Sequence, residues 1–493
     1  MICTTINYNF AKLVNFALKN TVKLVNLRRK NIVKLVNAME RLAANDLEKW
    51  YSSKRRKPLV IWGARQIGKT YLTKELFAKK HFRDFVYIDL KKDNKAADFF
   101  STTSNPEEYL QYIETRYSKR IAPDLPLIFD EVQQCHQVLS SLKYFCQDYP
   151  ELPVIATGSL VRLSIRQQSK SEADDFLFPL GKVDSLFVYP MTFEEYLLNT
   201  NPSMLEKIKT AYSTVTPLKP YEHELAMDML YEFLTIGGLP EALDIFVGEH
   251  SYVEAAKVIE NVYSNYLADM HTYNVSNETI LKTRKVYGNI FLQLNKENKN
   301  FKITQVEQGK SNRDYFNAFQ WLELANIIYR SRRLTGKVTL PLIEDTEGLF
   351  RIYLCDEGMF AYQSKIPRSD FFVKDRRNTL SGIFYENYVA DEFTAKGVPL
   401  FFWTGKGVHE FEFVVENQGS VLPVDVKKGN SKMNSLQSFR NFNPHSTAVK
   451  ISSANFGYSA EQDIFTIPLY AVFAFADNIK RNEPLPTDLS FGN

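Results

Sequence analysis

The sequence predicts an α/β protein: a parallel sheet built around a phosphate loop, then a helical region, then a C-terminal α+β part. Three observations predict it. Gly63-Ala64-Arg65-Gln66-Ile67-Gly68-Lys69-Thr70 fits the pattern G-x-x-x-x-G-K-[ST] at every fixed position. The apolar run Leu59-Val60-Ile61-Trp62 before it is short enough for a buried parallel strand, and Leu72, Leu76 and Phe77 after it share the inner stripe of a helix. Runs of the same kind, ending in acids or hydroxyls, recur at Leu125–Glu131 and Pro153–Ser159.

Strand, glycine loop and helix start form a concavity of backbone N–H groups that suits a triphosphate such as ATP. Lys69 is expected to reach the β- and γ-phosphates and the Thr70 hydroxyl to ligate Mg²⁺. A chance glycine-rich turn is the alternative, and the flanking strand and helix argue against it. The run ending in Asp130-Glu131 puts Asp130 at a strand's carboxyl end, where Mg²⁺ needs a carboxylate. Glu131 then stands next along, to polarise the attacking water. Acids also end strands merely because strand ends are solvated, a reading that recedes once a phosphate loop precedes them. Thr157 or Ser159 is placed to sense the γ-phosphate, although small polar residues are common at strand ends.

Length and composition set the bounds. A chain of 493 residues suggests three or four domains. Its 44% hydrophobic and 24% charged content is that of an ordinary globular protein. A net charge of +4 is nearly neutral at this length, so any nucleic-acid surface is local. Cys3, Cys135, Cys146 and Cys355 are scattered, which points to a reduced, cytoplasmic setting without a disulfide frame or zinc ribbon. The histidines form no metal-binding constellation, and no stretch approaches the roughly 18 apolar residues of a membrane span.

In chain order, residues 1–38 are a basic repeat segment. Lys-Leu-Val-Asn recurs every eleven residues, at Lys12, Lys23 and Lys34. One reading is an amphipathic helix lying on a membrane or a partner. The other is a translated DNA repeat joined to a protein that begins at Met39. Residues 39–204 are expected to hold the phosphate-loop domain: a helix from Met39 to Trp50, a strand at Phe85–Leu90, a helix at Glu107–Tyr117 and a strand at Phe187–Pro190. A helix follows, capped by Thr192 with Glu195 as its box partner. Residues 205–300 read as helical, interrupted at Gly237-Gly238-Leu239-Pro240. In 301–375 a helix followed by two β-rich runs around Gly336 resembles a winged helix. Arg330, Arg332, Arg333 and Lys337 then stand on its wing, either facing water or gripping DNA phosphates.

These residues carry a wider resemblance. Gly63–Thr70, Asp130-Glu131-Val132-Gln133 and Thr157-Gly158-Ser159 resemble the bacterial and archaeal AAA-type ATPases of the AAA_14 group, usually followed by a DUF4143 region. Gly237–Glu241, Trp321-Leu322, Leu354–Met359 and Glu386–Val389 stand where that family has its signatures. The resemblance implies an ATPase, with ATP and Mg²⁺ as cofactors. Where the family usually has Gly-Arg ahead of the strand leading to Pro190, this chain has Gly181-Lys182. An arginine there would stabilise transition-state charge; lysine keeps the charge but loses the planar fork.

Residues 376–493 carry the second possible chemistry. Glu386 lies on a helix, Phe411–Val415 is a strand, and Val421–Val426 is its hairpin partner, running into Lys427. A carboxylate followed by acid-x-lysine resembles the PD-(D/E)xK nuclease core, and period-two alternation puts Asp425 and Lys427 on one face. The resemblance implies that Glu412 and Asp425 hold Mg²⁺ and that Lys427 orients the water or steadies the phosphate. The alternative is a nuclease-like scaffold that only binds. Two functions follow. One is an ATP-driven switch or motor whose C-terminal part grips or cuts double-stranded DNA, with Lys432 and Lys450 among the basic contacts. The other is a nucleotide-controlled module for a protein partner without nuclease activity. A homo-oligomer stays open in both.

Overall fold

The computed structural model describes residues 39–159, 179, 181–268, 276–372, 382–407, 409–427 and 433–487. The repeat segment 1–38 and Lys432 lie outside these residues.

Five four-residue strands form one parallel sheet: β1 (Leu59–Trp62), β2 (Val86–Asp89), β3 (Leu127–Asp130), β4 (Val154–Thr157) and β5 (Asp184–Phe187), in the order β2-β3-β4-β1-β5. β1, β3 and β4 are buried at every residue, as central parallel strands covered on both faces must be. Alternation divides β1 between two cores. Val60 and Trp62 face Phe100, Tyr109, Leu139 and Phe145 of the helices Asn94–Ser101, Pro106–Tyr117 and His136–Asp148. Leu59 and Ile61 face the opposite way, into a core that continues through most of the remaining chain.

The edge strand departs from expectation. β5 is Asp184–Phe187, three residues earlier than Phe187–Pro190, and it alternates between half-buried and exposed positions. It lies at the sheet's edge with little apolar content, so the more apolar Val188 and Tyr189 just beyond it gave the stronger signal. Helix starts follow the sequence more closely. Asn105 caps Pro106–Tyr117 by accepting from Glu107 N at 3.0 Å, with Pro106 in the first turn. Thr192 and Glu195 form the expected box ahead of Phe193–Thr200, worth about 1 kcal/mol.

Helices then run through Pro202–Thr214, Pro220–Ile236, Pro240–Glu249, Tyr252–Ala268 and Asn277–Gly288, broken at Gly237-Gly238. A second sheet contains β6 (Ile328–Thr335), β7 (Phe350–Leu354), β8 (Phe401–Thr404) and β9 (Glu410–Phe411), in the order β7-β6-β8-β9. This corrects the wing. The antiparallel partner of β6 is β7, because residues 338–342 form no strand, and its other edge pairs in parallel with β8. The arginines are held by acids of the same chain: Arg330 by Glu323 (2.8 Å), Arg332 by Glu344 (3.5 Å), Arg333 by Asp345 and Glu347. The expected division at 375/376 runs through this sheet. A third sheet, in the order β10-β11-β12-β14-β13, contains β10 (Phe413–Asn417), β11 (Ser420–Val426), β12 (Ala448–Ser452), β13 (Gly457–Ser459) and β14 (Ile464–Pro468). β10 and β11 are the expected hairpin. The helix Ile383–Lys396 packs beside the helix Val472–Arg481. The whole is α/β: a parallel phosphate-loop sheet, a helical region and C-terminal sheets.

Candidate functional site

The phosphate loop leaves the carboxyl end of β1. Gly63 is required there, since a Cβ would stand 2.3 Å from the carbonyl oxygen of Val188. Gln66 (φ 60°) and Gly68 (φ 85°) take left-handed backbone, and helical structure begins at Lys69. The helix continues with π geometry over Leu72–Ala78 and ends at His81.

The loop's side chains meet those at the end of β3. Thr70 Oγ1 donates to Asp130 Oδ2 at 2.8 Å. Asp130, at the end of β3, also accepts from the Tyr87 hydroxyl (2.6 Å) and from Glu131 N (2.9 Å). Lys69 is buried; its ammonium donates to the carbonyls of Gly63 (3.0 Å) and Ala64. Burial pulls that ammonium down to about 8, against the pull of Glu131 and Asp130. Among the described residues its hydrogen-bond partners are neutral backbone oxygens, so most of its charge is available to an anion in the loop. Glu131 takes a φ of 54°, a conformation costing about 1–3 kcal/mol outside glycine, and Gln133 Nε2 donates to its carboxylate.

β4 lies between β1 and β3, with Thr157 in register with both Ile61 and Asp130. Of the two hydroxyls at its end, Ser159 accepts from Arg65 Nε at 3.1 Å, whereas Thr157 Oγ1 is buried with no hydrogen-bond partner. An orphaned buried hydroxyl costs about 1–3 kcal/mol, and a phosphate oxygen or a ligated water would satisfy it. The donors, the carboxylate, the hydroxyl pair and this orphan together fit a magnesium-bound triphosphate.

Sequence reasoning missed the residues that brace the loop. Arg41 is buried behind it, donating to Ile67 O (2.8 Å), Tyr189 O (2.8 Å) and Glu195 Oε1 (3.0 Å). Tyr266 donates to Arg65 O at 2.7 Å. Lys182, by contrast, is placed away from this site. Asp184 pairs with Leu59, so Lys182 lies at the amino end of strands whose carboxyl ends carry the loop. Four strand residues, roughly 13 Å, separate the two. The transition-state role considered for that position has no support within this chain's own site.

Residues 55–197 match the AAA domain family AAA_14. Over those residues the chain is similar to AAA-type P-loop ATPase domains. Residues 227–370 match a domain of unknown function, DUF8612, and 381–472 another, DUF4143. The motifs Gly237–Glu241, Trp321-Leu322 and Leu354–Met359 therefore belong to the DUF8612 match, not to DUF4143, whose match contains Glu386–Val389. Similar solved structures include a Walker-type ATPase of Pyrococcus abyssi (14% identity, 66% of this chain and 96% of that one, TM-score 0.40). The replication initiator DnaA bound to AMPPCP and single-stranded DNA matches at 14% (58% and 84%, TM-score 0.27), and RuvB of Thermotoga maritima at 10% (66% and 95%, TM-score 0.24). Likeness this slight transfers no ligand or partner. No match is found among curated proteins.

A second polar cluster lies in the C-terminal part. Glu412 sits between β9 and β10, where the chain crosses from one sheet to the next, and its Oε2 accepts from Val426 N at 3.1 Å. Lys427 Nζ is 2.9 Å from Asp425 Oδ1 and 3.8 Å from Glu412 Oε1. The expected trio is thus together, but other groups join it. Glu386 reaches in from the helix Ile383–Lys396, and Lys299 and Arg351 reach in from the DUF8612-matching part. Burial and Glu412 raise the Asp425 carboxyl; burial also opposes ionisation of Glu412, but Lys299 and Lys427 hold it below the usual range. No three carboxylates, histidines or cysteines among the described residues converge closely enough to hold a metal.

A third group of acids lies where the helix break at Gly237-Gly238 meets Met191 and the helix Ile383–Lys396. Asp356 accepts from Gly238 N (2.6 Å) and Met359 N (2.8 Å), and Met191 N donates to Gly238 O at 2.7 Å. Glu392 accepts from Phe193 N at 2.7 Å, and Asn387 joins Glu357 (2.8 Å) to Leu354. Burial raises Asp356 to about 6 and Glu392 to about 8. The cavity among them, about 20 Å³, is the size of one water. Among the described residues no helix is long and apolar enough to cross a membrane.

Proposed function

We propose that the chain binds and hydrolyses Mg·ATP at the phosphate loop and passes its nucleotide state to a nuclease-like C-terminal part that acts on double-stranded DNA. The Thr70–Asp130 contact, beside an orphaned Thr157 hydroxyl, carries the reading. In it, the loop from Gly63 to Thr70 cradles the phosphates and Lys69 neutralises the β- and γ-oxygens. Thr70 and Asp130 hold Mg²⁺, Thr157 reports the γ-phosphate, and Glu131 turns the attacking water. The metal supplies charge neutralisation on the transferring phosphoryl group. In the C-terminal cluster, Glu412 and Asp425 are the metal-holding acids and Lys427 the phosphate-facing cation. The DNA arm of the proposal rests on that acid-x-lysine arrangement.

Glu131→Gln separates the steps. The variant is expected to bind ATP and fail to hydrolyse it, whereas Lys69→Ala loses most of its affinity. Hydrolysis by Glu131→Gln at the parent rate would place water activation elsewhere. Asp425→Ala is expected to abolish Mg²⁺-dependent nicking of duplex DNA while ATP turnover continues. The second reading, a nucleotide-controlled module for a protein partner, draws on the ion-paired state of Arg330, Arg332 and Arg333, which leaves the wing little free charge for phosphates. A duplex affinity that does not change with salt would favour it. A homo-oligomeric form is checked by sedimentation with and without ATP.

A further inference from the structure

The nuclease-like cluster contains a cation that its sequence pattern does not call for. Lys299 reaches it from the turn after the helix Ile290–Leu294, in the part of the chain that precedes the C-terminal sheets. Its ammonium is 2.5 Å from Glu386 Oε1, 3.4 Å from Glu410 Oε1 and 3.6 Å from Glu412 Oε1, and its side chain is 15% exposed. Three carboxylates drawn from a helix, a strand and the crossing between two sheets thus point at one buried positive charge. With the ammonium among them these oxygens form no metal cage, and a divalent ion would need them drawn in to about 2.0–2.1 Å.

The charges point the same way. Glu386, Glu410, Glu412 and Asp425 carry four formal negative charges; Lys299, Lys427, Arg351 and Lys450, which stands in register with Asp425 on β12, carry four positive ones. The set is balanced with Lys299 in place and stands at −1 without it, so withdrawal of Lys299 leaves a negative charge for an incoming cation to offset. Glu386 Oε2 is buried with no hydrogen-bond partner, so an acceptor is spare beside the ammonium. A dication entering with Lys299 still present would meet a like charge in a poorly screened site.

We propose that Lys299 is a built-in counter-ion that occupies the metal position of the nuclease-like centre, so that a divalent cation binds only when Lys299 withdraws. The proposal deepens the nuclease reading and rests on it for the role of the carboxylates. Because Lys299 belongs to the part that joins the ATPase domain to the C-terminal sheets, a shift of that part is what would withdraw it.

The test is Mn²⁺ titration of the nucleotide-free full chain, followed by electron paramagnetic resonance of the free ion. Lys299→Met is expected to gain one Mn²⁺ site per chain, at least about tenfold tighter than any in the wild type. Lys299→Met with Glu412→Gln, which removes an acid facing Lys299, is expected to lose it again, and ATP hydrolysis by Lys299→Met is expected to match the parent. Lys299→Gln, which keeps a neutral donor for Glu386, covers the case in which methionine unfolds the chain. No gain of Mn²⁺ binding in either folded variant overturns the proposal. Mn²⁺ binding without DNA nicking leaves the counter-ion standing and removes the nuclease reading. Nicking by the wild type with no gain in the variants does the reverse.

Discussion

Arg41 is the residue whose loss should cost the ATPase domain most for a single change outside the phosphate loop. Its guanidinium donates to the loop carbonyl of Ile67, to the carbonyl of Tyr189 just beyond β5 and to the Glu195 carboxylate, the first and last of these away from water. Arg41→Met keeps the volume and removes every donor. Glu195 retains its bonds from Leu42 N (2.7 Å) and Thr192 N (3.1 Å) but loses its cation. Breaking one side of a buried pair costs about 3–5 kcal/mol, and each orphaned carbonyl about 1–3 kcal/mol. The losses share one guanidinium and do not simply add, so about 4–6 kcal/mol is expected. Denaturant unfolding monitored at the Trp50 and Trp62 fluorescence reads the cost. ATP affinity should fall at least about tenfold, because Ile67 is no longer tethered. A cycle with Glu195→Gln should return a coupling of about 2 kcal/mol or more. If Arg41→Met unfolds within about 1 kcal/mol of the parent and binds ATP normally, the brace is not what shapes the loop.

Three further outcomes follow from the geometry. Thr157→Val removes an orphaned hydroxyl and keeps the shape, so the melting temperature should hold or rise while turnover falls about tenfold or more; parallel loss of both would refute the γ-phosphate role. Glu392, held up at about 8 by burial, keeps in the folded state a proton that the unfolded chain has already shed. Its contribution therefore weakens as pH rises from about 5 to about 8, by up to about 1.4 kcal/mol per pH unit; Glu392→Gln should flatten that slope in thermal melts, and an unchanged slope would refute the assignment. Gly238→Ala would put a Cβ 2.0 Å from Met191 O and should cost at least about 3 kcal/mol, whereas Gly248→Ala meets nothing within 4 Å and should stabilise its helix by about 1 kcal/mol; similar melts for the two would contradict the packing.

The phosphate loop could be read from the sequence because its chemistry is local. Eight consecutive residues fix the turn, and the strands beside it are short apolar runs with their acids or hydroxyls at the end. Thr192 and Glu195 were readable for the same reason. The bracing contacts were not. Arg41 meets Glu195 across 154 residues, Tyr266 meets Arg65 across 201, and Lys299 meets Glu386 across 87, with only a polar turn to mark the last. The second strand of the wing was misplaced because alternation shows that a strand exists but not which strand lies beside it. The run after Gly336 looked like the nearest partner, yet β6 is satisfied by residues 350–354 and 401–404. The place of Lys182 was unreadable for a related reason: a position in a motif says nothing about which end of a sheet it occupies.

The close approach at Gly238 has a mechanical meaning. Main chain from the end of the parallel sheet (Met191), from the break between two long helices (Gly238) and from the helix beginning at Glu357 (Gly358, against Ile236) meets at close range, with the Asp356 carboxylate tying Gly238 to Met359. Such a junction has no slack to absorb a small displacement. A few tenths of an ångström gained or lost at the nucleotide would be carried onward as a tilt of everything bolted to it, growing with distance as the end of an oar moves farther than the hand.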